Sequence, residues 1–396
     1  MTTLELVFMI IGFSVASYSI VGNDAIQTLG TFLAANEKRP WWVLWLFASG
    51  IMAAVLIYGW WAYDGDPAWE RLDRYPMPED FSWLYIVPPI ALLILTRFGL
   101  PVSTTFLVLT VFAAKNLQDM LIKSLSGWVL AFVLGAIVYI AITKAVEKRF
   151  IDTIDDEPST AWVVLQWAST AFLWAMWLIQ DLANIYVYLP RKLSFTYLLA
   201  SLLLMVGIQA YIFYTRGGSI QKIVTSKTNT QDIRAAAIIN FLFGAVLLVF
   251  KEGYVMASIG WATTGVWPEE LPKIPMSTTW VFLGLLAGRE LGMNIHLKLR
   301  SAWDLAKVIG SDTLKATAGL VVSVIVALLL PVAFEAFHNV EKPAAATPPV
   351  GEEAAAEETP PASDEAPPGE ASGAAPETSP EVPAEDADLD EGSPAE

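Results

Sequence analysis

The sequence contains no cysteine and only two histidines. The absence of cysteine excludes disulfides, iron–sulfur clusters and thiol catalysis. His296 and His338 lie outside the apolar runs and have no paired His or Cys, so we expect no transition-metal site. Walker A, Gly-x-Ser-x-Gly and His-Glu-x-x-His motifs are also absent. ATP-driven chemistry and the common hydrolase arrangements are therefore not supported, and we do not expect an enzyme.

Charge is scarce outside the C-terminal segment. The net charge is −16, but 15 acidic and no basic residues lie from position 343 onward, which leaves the rest of the chain close to neutral. That segment consists almost entirely of Pro, Ala, Glu, Asp, Ser, Thr and Gly, a composition that cannot bury apolar area. We therefore predict a disordered acidic tail over 341–396. No basic residues precede the first apolar run, which predicts an uncleaved membrane helix.

Long apolar runs occupy most of the remaining sequence, and 55% of the 396 residues are hydrophobic. About eight to ten segments are long enough to cross or enter a hydrocarbon layer of ~30 Å. Typical runs cover 41–63, 160–189 and 195–214, whereas the first run, 4–35, is interrupted at Gly22-Asn23-Asp24. The pattern predicts an all-α polytopic membrane protein in which the first helix is broken.

Two short sequence motifs each occur twice. The amide–aspartate signatures are Asn23-Asp24-Ala25-Ile26-Gln27 and Gln180-Asp181-Leu182-Ala183-Asn184, and the hydroxyl runs are Pro101-Val102-Ser103-Thr104-Thr105 and Pro275-Met276-Ser277-Thr278-Thr279. They alternate along the chain, which predicts one transmembrane repeat over 1–150 and a second over 151–340. An odd number of crossings in each half would make the repeats inverted. Gly99-Leu100-Pro101 predicts a re-entrant type of hairpin before the first hydroxyl run.

The distribution of basic residues predicts the orientation. An extracytoplasmic N-terminus places the basic segments at 38–39, 144–149 and 216–234 in the cytoplasm, as the positive-inside rule requires. The polar loop 64–80, with Arg71 and Arg74, and the acidic tail then lie outside. We expect a multi-pass protein of the plasma (inner) membrane.

These repeated motifs resemble those of a known protein family. The two amide–aspartate signatures resemble the duplicated Gly-Ala-Asn-Asp-Val-Ala-Asn-Ala signature of the inorganic phosphate transporter (PiT) family. The stretch from Gly99 to Thr105 resembles that family's Pro-x-Ser-Thr-Thr-His hairpin motif, which is also duplicated. Gly217-Gly218-Ser219-Ile220-Gln221-Lys222-Ile223 weakly resembles its Gly-Lys-Lys-Ile loop. The resemblance covers roughly residues 10–335.

The resemblance implies an inverted-repeat carrier that couples Na⁺, or H⁺ in some members, to uptake of phosphate, and in some relatives of sulfate. This sequence departs from the family pattern at several positions, and Val21-Gly22 and Leu178-Ile179 stand where the family signature has Gly-Ala. Phe106 and Trp280 replace the histidine after each hydroxyl run, and Gln27 and Gln180 each replace an asparagine. The aspartates and the hydroxyl residues are retained.

The hydroxyl runs are suited to an oxyanion. A helix start offers unpaired N–H groups and a partial positive charge, and hydroxyls add neutral donors. The alternative is that these side chains bond to their own helix, which is common in membrane helices. Because two runs each follow a proline, we favour substrate binding by Ser103, Thr104, Thr105, Ser277, Thr278 and Thr279.

The aspartates are suited to a cation. An ionised carboxylate in apolar surroundings is costly unless it is paired or metal-bound, and neither signature contains Lys or Arg. Asp and amide oxygens form a hard ligand set for Na⁺. We therefore predict Na⁺ sites at Asn23/Asp24 and Gln180/Asp181, with Gln27 and Asn184 turned toward the anion.

The favoured interpretation is a Na⁺-coupled secondary transporter of inorganic phosphate. The alternatives are a permease for sulfate or another oxyanion, an anion channel on the same scaffold, and a sensor or assembly subunit. The expected partners are a small inorganic oxyanion and the lipid bilayer, with no nucleic acid. We expect no cofactor other than the coupling ion, with H⁺ as the alternative to Na⁺, and a homo-oligomer is left open.

Overall fold

A computed structural model describes residues 2–97, 102–153, 156–215, 232–298 and 300–341. Within these residues the secondary structure is helical. In chain order the α-helices are α1 (Thr3–Ala35), α2 (Trp41–Ala62), α3 (Val87–Arg97), α4 (Thr104–Phe112), α5 (Leu117–Ile142), α6 (Lys148–Asp152), α7 (Thr160–Tyr186), α8 (Phe195–Tyr214), α9 (Ile233–Val249), α10 (Tyr254–Thr264), α11 (Thr278–Leu297) and α12 (Ala302–Glu341). Residues 1–342 form one compact unit. The acidic tail from 342 onward lies outside the described residues.

Six helices are long and apolar enough to cross a membrane, or seven if one bent pair counts as a span; this number refers to the described ranges. They are α1, α2, α5, α7, α8 and α12, with α9 and α10 as the bent pair. The prediction of an all-α polytopic membrane protein is confirmed. Other apolar runs form shorter helices, such as α3 and α4.

Helix α1 is continuous, so the predicted break at Gly22-Asn23-Asp24 is wrong. Its 33 residues begin at a capping box, in which Thr2 Oγ1 accepts from Glu5 N at 3.2 Å and the Glu5 carboxylate accepts from Thr2 N at 2.5 Å. Gly, Asn and Asp each disfavour a helix interior by only about 0.7–1 kcal/mol relative to Ala. The apolar residues on both sides outweigh that preference. The side chains of residues 23–27 lie outside the described part.

Helices α3 and α4 are too short to span a bilayer. They contain 11 and 9 residues, or roughly 16 and 14 Å at 1.5 Å per residue, and they pack against each other. These lengths are compatible with a hairpin, whose expected turn at Gly99-Leu100-Pro101 lies outside the described residues. The next long helix, α5, starts at Leu117.

Glycines bring α5 and α11 into close contact. Gly284, Gly288 and Gly292 recur every fourth residue along the face of α11 that meets α5. A Cβ on Gly284 would lie 2.4 Å from Trp128 O, and one on Gly288 would lie 2.1 Å from Phe132 O. This small-residue spacing lets the two backbones touch, as in many membrane helix pairs.

The polar loop after α2 is folded into the protein instead of lying on its surface. Ala68, Leu72 and Tyr75 are all buried. Asp66 accepts from the backbone N–H of Ala68, and Arg191 donates through Nε and Nη2 to Tyr75 O at 2.9 and 2.7 Å. Aromatic and aliphatic side chains alternate with the charged residues of this loop, and their burial holds the loop against the helices.

The charged residues between α9 and α11 form ion pairs. Helices α9 and α10 meet at a bend of 51°. Beside this bend Lys251 pairs with Glu252 at 2.5 Å, and further along Lys273 pairs with Glu70 of the folded loop at 2.6 Å. The charges of Lys251, Glu252 and Lys273 therefore pair within the segment or with the loop after α2.

Candidate functional site

The second amide–aspartate signature lies at the C-terminal end of α7. Gln180, Asp181 and Asn184 are fully buried. Asn184 Nδ2 donates to Asp181 Oδ1 at 2.7 Å, because positions i and i+3 share one face of a helix. Gln180 points elsewhere, and its Nε2 donates to Leu247 O of α9 at 3.1 Å. The carboxylate is thus joined to one of the two amides.

The hydroxyl runs form two matching helix starts. Ser103 caps α4 by accepting from Phe106 N at 3.3 Å, and Ser277 caps α11 by accepting from Trp280 N at 3.4 Å. In each run the two threonines form the first turn, as the sequence predicted. Thr279 is buried in the first turn of α11. Each serine therefore caps its own helix. This local role is the alternative to substrate binding that was considered for the hydroxyl runs.

Thr105 connects the two halves of the chain. Its Oγ1 lies 3.0 Å from Met276 O and 3.4 Å from Asp181 Oδ1, and as a donor it can serve either acceptor. Asn184 Nδ2 lies 3.1 Å from Thr105 Oγ1 and 3.2 Å from Thr104 Oγ1. The first hydroxyl run, the second hydroxyl run and the second signature thus meet in one buried cluster.

The aromatic residues that follow the two runs also meet. Phe106 and Trp280 occupy equivalent positions after Ser-Thr-Thr, and their ring centroids lie 6.0 Å apart at an interplanar angle of 81°. Both side chains are buried. An edge-to-face pair of this kind holds the starts of α4 and α11 together.

Three buried oxygens of the second signature have no hydrogen-bond partner among the described residues: Gln180 Oε1, Asp181 Oδ2 and Asn184 Oδ1. Buried acceptors are normally paired, and carboxylate and amide oxygens are ligands for hard cations. The described part of the chain contains no cluster of three or more His, Cys, Asp or Glu side chains. The candidate cation ligands are therefore one carboxylate together with amide and hydroxyl oxygens.

A cavity of about 610 Å³ reaches toward this cluster. Its buried lining includes Arg71, together with Ile274 and Pro275 at the beginning of the second hydroxyl run. Arg74 and Asp119 line it where it is exposed, and they pair at 3.0 Å. The cavity therefore connects the surface with the segment that leads into α11.

The chain is similar in fold to a solved sodium-dependent phosphate transporter. The similarity covers 84% of this chain and 100% of that chain, with a TM-score of 0.53 and 16% sequence identity. No protein-family model matches the sequence, and no curated protein matches it. At this identity the similarity concerns the fold.

Sequence reasoning missed two buried basic residues. Arg71 and Lys123 are 2% and 0% exposed, and both lie within electrostatic range of Asp181. Neither signature contains a basic residue, but the fold brings these two close to Asp181. Lys123 carried a signal, since a lysine within the apolar helix α5 is unusual. Arg71 carried none, because its loop contains charged residues throughout.

Each of these basic groups is fixed to the backbone beside a second-half motif. Arg71 Nε donates to Ile179 O at 2.5 Å, directly before the signature, and Lys123 Nζ donates to Ile274 O, directly before the hydroxyl run. Burial lowers the pKa of Arg71 to about 10, so its guanidinium stays protonated at neutral pH. The predicted site residues Asn23, Asp24 and Gln27 have side chains outside the described part.

Proposed function

We propose that the chain is a secondary active transporter that couples Na⁺ to the uptake of inorganic phosphate. The observation that carries the proposal is the bridge made by Thr105, which reaches Asp181 Oδ1 and Met276 O from the other half of the chain. A bridge of this kind joins a carboxylate to two hydroxyl-bearing helix starts. It is the arrangement that a site shared by a cation and an oxyanion requires.

The oxyanion is assigned to the starts of α4 and α11. Thr104, Thr105 and Thr278 are buried on first turns, where backbone N–H groups and the helix dipole favour a negative ligand. Ser103, Ser277 and Thr279 complete the proposed set. Neutral donors of this kind bind a tetrahedral anion without holding it irreversibly.

The cation is assigned to the oxygens of the signatures. Gln180, Asp181 and Asn184 each have one buried oxygen without a partner among the described residues. The first signature is proposed to supply Asn23 and Asp24 as further ligands, with Gln27 beside the anion. The similarity in fold to a sodium-dependent phosphate transporter supports Na⁺ as the coupling ion; H⁺ is the alternative.

The halves 1–150 and 151–340 are proposed to be inverted repeats with a hairpin before each hydroxyl run. The matching serine caps of α4 and α11 and the contact between Phe106 and Trp280 support a twofold relation. The proposed orientation places the N-terminus and the acidic tail outside the plasma membrane.

Uptake of labelled phosphate and labelled sulfate into proteoliposomes tests the proposal. Phosphate should accumulate against its gradient when Na⁺ is high outside, and should not when K⁺ replaces Na⁺. Asp181→Asn should remove the Na⁺ dependence, because the amide keeps the shape of the side chain but loses its charge. Flux that ignores both the Na⁺ and the H⁺ gradient would instead indicate an anion channel. Preference for sulfate would change the substrate but keep the class of transporter.

A further inference from the structure

Arg71 and Lys123 are buried basic groups. Among the described residues neither group forms an ion pair within 4 Å. Asp181 lies in electrostatic range of both, and Glu252 lies in range of Arg71, but Glu252 already pairs with Lys251 at 2.5 Å. The cavity lining carries five carboxylates, those of Glu70, Asp73, Asp119, Glu252 and Glu270, and three basic groups. Arg74 and Lys273 each pair with one of these carboxylates, so among the described lining residues Arg71 is the basic group without an ion pair. A buried unpaired charge is destabilising, and such groups in membrane proteins usually mark a ligand pathway.

Arg71 lines the cavity, and one nitrogen of its guanidinium has no partner among the described residues. Its Nε donates to Ile179 O and its Nη2 donates to Lys251 O at 2.9 Å, while Nη1 has no partner among the described residues. Arg71 is 2% exposed and lines the 610 Å³ cavity together with Ile274 and Pro275. Two of its nitrogens thus fix the guanidinium, and the third is a buried donor without a partner among the described residues.

Lys123 supplies a second buried positive charge next to the residues that line the cavity. It is fully buried, and its Nζ donates to the carbonyl of Ile274, which lines the cavity. The next residue, Ser124, accepts from Ser277 N at 2.9 Å. Lys123 therefore lies between the inner wall of the cavity and the second hydroxyl run.

The backbone before Arg71 is strained. Trp69 and Glu70 are consecutive non-glycine residues with φ of 61° and 59°. Left-handed conformations are unfavourable for residues that carry a side chain, and they persist only where the surroundings enforce them. Asp66 helps to hold this turn, since its Oδ2 accepts from Glu70 N at 2.6 Å.

We propose that Arg71 is an oxyanion-binding residue at the inner wall of the cavity, with Lys123 as a supporting positive charge. It receives a tetrahedral dianion such as phosphate before the anion reaches the hydroxyls of Ser277 and Thr278. A guanidinium suits this task because its N–H groups match phosphate oxygens and its charge is permanent. The ligand supplies the partner that Arg71 Nη1 lacks among the described residues. The inference rests on the proposed function and adds a loop residue to that site.

The test compares arginines that line one cavity. Arg71→Gln should raise the phosphate concentration for half-maximal uptake roughly tenfold or more, as expected for loss of a charged hydrogen bond. Arg71→Lys keeps the charge and should recover part of that loss, and Lys123→Gln should show a smaller rise. The matched control is Arg74→Gln, because Arg74 lines the same cavity but is half exposed and paired with Asp119. It should change half-saturation less than about threefold, since exposed pairs contribute little.

Thermal unfolding in detergent with increasing inorganic phosphate separates binding from folding. The wild-type protein and Arg74→Gln should be stabilised by phosphate, and Arg71→Gln should require roughly tenfold more for the same shift. An Arg71→Gln variant with lower Vmax and a lower melting temperature but unchanged half-saturation would overturn the inference and leave Arg71 a structural role. If Arg71→Gln does not fold, Arg71→Lys decides, and an unchanged half-saturation in it would count against guanidinium recognition. A wild-type protein that neither transports nor binds phosphate would refute the proposed function itself.

Discussion

Replacement of Gly288 by alanine tests the packing that positions the site. An added Cβ would lie 2.1 Å from Phe132 O and 2.8 Å from Ala136 N, both backbone atoms of α5. A tolerable carbon–oxygen contact is about 3.3 Å, so the two helices must separate by about 1 Å. A gap of that size removes a quarter to a half of each dispersion contact along the interface. We expect a loss of about 1–3 kcal/mol, the usual range for overpacking.

The assay is the thermal unfolding midpoint of the detergent-purified protein. Gly207→Ala is the matched control, because Gly207 lies within α8 and a Cβ there meets no atom within 4 Å. That control should be neutral or stabilising by up to about 1 kcal/mol, since alanine favours helix over glycine. Gly288→Ala should unfold several degrees lower and should also slow phosphate uptake, because α5 carries Ser124 and α11 starts at the hydroxyl run. Equal midpoints for the two variants would refute the close approach of α5 and α11.

Two further predictions concern the buried cluster. Thr105→Val should lower stability by about 1 kcal/mol and reduce phosphate uptake, because Met276 O loses its donor. The control is Thr110→Val on the same helix. It should be neutral, since the Thr110 hydroxyl has no partner among the described residues. A similar loss from both valines, in melting and uptake assays, would contradict a specific role for Thr105. A double-mutant cycle of Phe106→Ala and Trp280→Ala should give a coupling of about 0.5–1.5 kcal/mol. Additive losses of stability would mean that the ring contact contributes nothing.

The starts of α4 and α11 were accessible from the sequence because local chemistry determines them. A proline two residues before a serine and two threonines predicts a helix start. In both halves the serine caps the helix. The pairing of Asp181 with Asn184 follows in the same way from a spacing of three residues on a helix. Such features need only neighbours along the chain.

Features that depend on the fold were missed. Gly22 and the polar residues after it resembled a break, but their helix preferences were too weak to interrupt α1. The burial of Arg71 depends on acceptors at Ile179 and Lys251, more than a hundred residues away. The spacing of Gly284, Gly288 and Gly292 was readable as a packing face, although not the partner helix.

The central claim is that one buried site couples an oxyanion to a cation, and the flux of radioactive sodium tests it most directly. In proteoliposomes with no initial Na⁺ gradient, an inward phosphate gradient should drive Na⁺ inward above its equilibrium level. Asp181→Asn should abolish this accumulation, whereas Arg74→Gln should retain it. Phosphate entry with Na⁺ no higher than in protein-free liposomes would contradict the account.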